Sequence, residues 1–156
     1  GKVKGACHEI AHIINDWRAK ALGGIETAIF LWETCCVSTL LNGSGTWMDI
    51  SGKTEKLLNS IQHWFIRLVL QVGPGAPTGS LLWDFALLDM GLMVWREKLM
   101  LMLHIRSLDE ETLANKTYKE QKLQNWPGLA KETSKICQSL SIEDVHTTKM
   151  SKQVYR

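Results

Sequence analysis

The chain has 156 residues, 45% of them hydrophobic and 22% charged, with a formal net charge of +2. That is enough apolar material for one ordinary domain or a set of small helical subdomains, and it excludes a globally disordered chain. So small a positive surplus does not by itself imply a nucleic-acid partner, and no charge-free apolar run approaches the length of a membrane span.

Strand signals are almost absent. Glycine and proline cluster at a few points and the rest of the chain reads at helical period, so the expected fold is all-α, an irregular multi-helix bundle of about six or seven helices with short loops. The first predicted helix runs from Ala6 to Leu22, with Ile10, Ile13, Ile14, Trp17 and Ala21 on its apolar face, and stops at Gly23-Gly24. It carries His8-Glu9-Ile10-Ala11-His12, which matches H-E-x-x-H. That chemistry needs two imidazoles one turn apart, a glutamate as general base and a third ligand. At about 100° per residue, His8 and His12 lie nearly opposite the apolar face, and no strands border a cleft. The match therefore reads as a solvated face met by chance, and a zinc metalloprotease built on His8, Glu9 and His12 is the least favoured reading.

The second predicted helix, Ile25 to Leu41, is apolar on most sides and is expected to be buried; Asn42-Gly43-Ser44-Gly45 ends it. No strand precedes Gly43-Ser44-Gly45 and no Lys-Ser/Thr follows, so it is not a phosphate loop. Cys7, Cys35, Cys36 and Cys137 form neither a disulfide framework nor a zinc knuckle, and buried thiols in a reducing intracellular setting, nucleus or cytoplasm, fit them best.

The third helix is predicted to start at Thr54 as N-cap, followed by Glu55. Leu57, Ile61, Trp64, Phe65 and Leu68 make its expected core stripe. Beside that stripe Lys56, Ser60, His63 and Arg67 recur at i, i+4, i+7 and i+11, with Asn59 adjacent and Lys53 in line ahead. A polar, cationic row of this kind can track a phosphate backbone; an ordinary solvated face is the competing reading.

Gly73-Pro74-Gly75-Ala76-Pro77 ends this helix and marks the best internal boundary. A short fourth helix is predicted over Gly79 to Leu87, and a fifth over Met90 to Ser107, apolar all round from Leu99 to Leu103. Ser107-Leu108-Asp109-Glu110 has the capping-box pattern and opens a sixth, to about Asn125. Pro127-Gly128 separates it from a seventh, Leu129 to Leu140, and a polar tail from Ser141 to Arg156 follows. Trp17, Trp32, Trp64 and Trp95 fall on or near core stripes; Trp47, Trp83 and Trp126 sit at element edges, freer to contact a ligand.

Leu31-Trp32-Glu33 through Leu40-Leu41-Asn42-Gly43-Ser44-Gly45-Thr46-Trp47 resembles the segment just after the palm in non-LTR retrotransposon (LINE-like) reverse transcriptases. Glu55-Lys56-Leu57, Gln62-His63-Trp64-Phe65 and Arg67-Leu68-Val69-Leu70 resemble the family's next helix. Asp16-Trp17-Arg18 through Leu22-Gly23-Gly24 upstream, and Leu81-Leu82-Trp83 through Arg106-Ser107-Leu108 downstream, are also similar to it. Asn42 stands where tyrosine is usual and Gly45 where glutamate is usual. The family's Tyr/Phe-x-Asp-Asp is missing, and no Asp-Asp pair occurs in the sequence.

The resemblance implies residues 1–24 as a helix leading from the palm, 25–77 as a thumb-like helical bundle, and 78–156 as a helical extension with a polar tail. It implies a non-catalytic thumb and connection fragment, from a chain that begins with Gly1 rather than Met, and an upstream palm as partner. The parent enzyme would be an RNA-directed DNA polymerase using magnesium, with no cofactor held here. The RNA/DNA template–primer would lie against Lys53, Lys56, His63 and Arg67, which position phosphates rather than read sequence. The alternative is a degenerate helical protein-interaction module without a nucleic-acid role.

Overall fold

The computed structural model describes residues 5, 9, 12, 24–47, 50 and 52–141. Among them every regular element is helical, and the expected all-α, irregular bundle is observed. In chain order the elements are α1 (Gly24–Leu31), a π-helical turn (Trp32–Val37), α2 (Ser38–Leu40), a 3₁₀ turn (Ser44–Thr46), α3 (Gly52–Leu70), α4 (Thr78–Asp84), α5 (Met90–Ser107), α6 (Leu113–Leu123) and α7 (Leu129–Ser139). The predicted first helix, Ala6 to Leu22, lies almost wholly outside the described residues, as do Trp17 and the tail beyond Ser141. No helix among the described residues is long and apolar enough to cross a membrane. Two compact units result, one formed by the residues up to Ser44 and Ile50–Val94, the other by Gly45–Asp49 and the residues from Trp95 onward. The division falls inside α5 rather than at the turn Gly73–Pro77.

In the first unit α1 runs on through the π turn into α2. Ala28, Trp32, Cys36, Val37 and Leu41 are buried, but Phe30 is 64% exposed, so the segment buries one side rather than most of its circumference. The wider i→i+5 turn is tolerated because neighbouring hydroxyls bond back to carbonyls. Thr34 Oγ1 donates to Phe30 O at 2.7 Å and Thr39 Oγ1 to Cys35 O at 2.7 Å. The segment ends where Gly43 takes a left-handed φ of 71°, which glycine adopts without steric cost. Trp32 stacks on Phe65 of α3, ring centroids 4.5 Å apart, a geometry that contributes about 0.5–1.5 kcal/mol beyond the area buried.

Helix α3 begins at Gly52, so Thr54 lies within its first turn and not at the cap. Its buried residues are Leu58, Gln62, Phe65, Ile66 and Val69, while Leu57 is 62% exposed. The helix is therefore turned one position from the stripe that apolarity predicts. Gln62 fixes this facing: its Nε2 donates to Leu88 O at 2.9 Å, while its buried Oε1 has no hydrogen-bond partner among the described residues. One turn earlier Asn59 Oδ1 accepts the Met90 amide at 3.0 Å, and Asp89 Oδ1 accepts the Gly91 amide at 2.8 Å. These two side chains take up donors at the start of α5 that no helical carbonyl can reach.

In the second unit Met102, Tyr118 and Ala130 form a core cluster from α5, α6 and α7, with Leu99, Leu103, Ile105 and Leu129 packed against it. Thr133 is fully buried and its hydroxyl donates to Leu129 O at 2.8 Å. The expected capping box does not form. Ser107 belongs to the last turn of α5, where its hydroxyl donates to His104 O at 2.7 Å. Asp109 Oδ1 instead accepts the Glu111 amide at 2.9 Å, making a separate turn, and α6 starts only at Leu113. Gly45 packs closely on α5: a Cβ there would stand 3.1 Å from Glu97 O and 3.3 Å from Leu101. Any side chain there would require Glu97 O or Leu101 to give by a few tenths of an ångström.

Candidate nucleic-acid interface

Lys53, Lys56, His63 and Arg67 all lie on α3. With the buried face centred on Leu58, Gln62, Phe65 and Val69, about 100° per residue puts their row nearly opposite the core, not merely beside it. From Lys53 to Arg67 the row is about 21 Å long, at the 1.5 Å rise of an α-helix.

The row is not uniform. Lys53, Lys56 and Ser60 are exposed, whereas His63 and Arg67 are half-buried. Arg67 Nη2 reaches Ala76 O at 3.4 Å, a long bond that holds the guanidinium against the turn after α3. Arg67 Nε is buried with no hydrogen-bond partner among the described residues. Burial, then the nearby Arg67 charge, lowers the His63 pKa below its ordinary 6.5, with Asp89 opposing. His63 is therefore neutral at pH 7, and the positive charge of the row there comes from Lys53, Lys56 and Arg67.

No carboxylate lies within ion-pair distance of those three cations among the described residues. Lys53 stands in the first turn of α3 and Lys56 at the start of the second. That is the positive end of the helix dipole, where a cation costs about 0.3–1 kcal/mol. Local stability does not select this placement. Together the dipole and two exposed ammonium groups make a positive surface suited to a phosphate.

The sequence reading missed the polar residues that hold α3 in place. Asp89 carries a legible signal, an Asp directly before the predicted start of α5; Gln62 carries none. It also missed Lys98, whose i±4 neighbours Val94 and Met102 are both buried, a spacing that places it on the inner face of α5. Of the tryptophans, Trp32 is fully buried while Trp83 and Trp126 are 86% and 55% exposed.

Of the H-E-x-x-H residues, His8 lies outside the described residues, and Glu9 and His12 are helical and exposed. Among the described residues no three His, Cys, Asp or Glu side chains converge as a metal site. No family model, curated protein or solved structure matches the chain.

Proposed function

We propose that the chain is a non-catalytic, thumb-like helical segment of a retroelement reverse transcriptase. In this reading the exposed face of α3 lies along the phosphates of an RNA/DNA template–primer. Chemistry, with its magnesium, belongs to an upstream palm. The observation that carries the reading is the pair of exposed lysines at the positive end of α3, Lys53 and Lys56, which no carboxylate approaches within ion-pair distance among the described residues, although Glu55 stands between them in sequence. Arg67 extends the row, provided it exchanges its long bond to Ala76 O for a phosphate oxygen.

The test is a salt titration of RNA–DNA hybrid binding. Each phosphate contact adds about 0.7–0.9 to the slope of log K against log salt. Reversing Lys56 and Arg67 to glutamate is expected to weaken binding and flatten that slope by about 1 or more per residue. At pH 7 His63→Gln is expected to leave the slope unchanged, because His63 is neutral there. An unaltered slope in the double reversal removes α3 from the interface.

A second reading, a helical protein-interaction module, is favoured by exposed apolar side chains of the first unit: Phe30 at 64%, Leu57 at 62% and Trp83 at 86%. It predicts hybrid binding that is weak and no steeper in salt than that of the reversed variant.

A further inference from the structure

The second unit contains a cleft of about 290 Å³ between the 45–47 segment, the inner face of α5 and the turn joining α6 to α7. That is at the low end of the roughly 300–1,000 Å³ of small-molecule sites. Leu101, Ile105 and Leu129 give it apolar walls; Trp47 and Gln121 also line it. Its charged groups are Lys98 and Glu132, with Thr46 and Gln121 as further polar lining. The Lys98 side chain is only 3% exposed, and its Nζ meets Glu132 Oε2 at 3.4 Å. That contact uses one of the three donors an ammonium carries, and at long range. Glu132 Oε1 receives Lys135 at 3.3 Å, so the carboxylate also has unfilled acceptor capacity. Two buried, under-satisfied donors on a charged group are costly and call for an acceptor supplied from the cleft.

A ligand that fits has apolar surface for these walls and presents an acceptor beside donors along one edge. We propose that the cleft receives a single unpaired guanine base. Lys98 Nζ donates to the guanine O6, Glu132 accepts from N1–H and the 2-amino group, and Trp47 offers a stacking face. Adenine reverses the order of donor and acceptor on that edge, and cytosine and uracil lack the adjacent pair of donors. The inference stands on this cleft alone and not on the phosphate reading of α3. Guanosine, which has no phosphate, keeps the two apart.

The test is calorimetric titration of the whole chain with guanosine, inosine and adenosine. Saturable guanosine binding is expected, with inosine about tenfold weaker for want of the 2-amino group, and adenosine weaker still. Lys98→Met is expected to weaken guanosine binding by about tenfold or more while thermal unfolding stays cooperative. Should that variant fail to fold, the three nucleosides on the unaltered chain still decide the matter. A thymidine single strand carrying one guanine tells whether the base is taken from a strand, by binding tighter than guanosine, or as a free nucleoside. Equal binding of guanosine and adenosine, or no saturable guanosine binding, overturns the proposal.

Discussion

Helix α3 and the second unit are both rich in cations, but they use them differently. Lys98, Lys116, Lys119 and Lys135 each lie within ion-pair distance of a glutamate. Lys53, Lys56 and Arg67 have no such carboxylate among the described residues. Net charge does not separate these cases. What separates them is whether a charge is already neutralised within the fold, and only the charges that are not remain to be neutralised by a partner.

The largest expected effect tests the second unit's buried pair among the described residues, Lys98 with Glu132. Glu132→Ala leaves the Lys98 ammonium enclosed without a counter-charge and is expected to destabilise by about 3 kcal/mol, read from urea unfolding. Lys98→Met replaces the cation with an apolar chain of similar length, and Glu132 keeps Lys135 beside it. We expect a loss of about 1 kcal/mol or less. Equal losses from the two substitutions would show that the pair is not electrostatically committed.

Acid acts on the same pair. Burial raises the Glu132 pKa, but the Lys135 hydrogen bond and the Lys98 charge outweigh it, so the net shift is below the ordinary 4.5. A carboxyl whose folded value is depressed contributes stability that is fully present above its unfolded value. That stability is lost as pH falls through the folded value. Unfolding free energy is therefore expected to drop as pH is lowered below about 4.5. The drop should be shallower in Glu132→Ala, as urea titrations at several pH values would show.

Smaller effects sharpen the contrast. Reversing Lys53 and Lys56 to glutamate together is expected to leave stability unchanged or raise it by a few tenths of a kcal/mol, because the helix dipole favours the new charge. A clear loss in thermal melts would mean that these lysines already have a role within the fold. Lys116→Ala breaks a pair whose side chains are 54% and 83% exposed, and about 0–0.5 kcal/mol is expected. Pairing at the surface thus removes a charge from other uses without adding much stability.

Most helix ends from α3 onward were legible because glycine and proline mark them. α5 was read at Met90–Ser107 and is found there, and α3 ends ahead of the Gly73–Pro77 turn as expected. The capping box was not legible, since Asp109 offers a tighter local turn than the one its spacing suggests. The facing of α3 was not legible either. Leu57, Ile61, Trp64 and Leu68 make as good an apolar stripe as Leu58, Phe65, Ile66 and Val69, and periodicity cannot choose between two such faces. The members of the cationic row were all named from spacing. Its unequal exposure depends on how the turn after α3 folds back on Arg67, which spacing along the helix does not show.

Gln62 has a consequence for how the chain finds a single structure. A helix with two comparable greasy sides has two ways to settle on its neighbours, and the choice falls to one amide that finds a carbonyl at Leu88 in only one of them. Gln62→Leu would make both sides apolar and remove the discriminating bond. A variant so altered is expected to stay helical by circular dichroism while its amide spectrum splits or broadens into alternative packings, a loss of uniqueness rather than of folding.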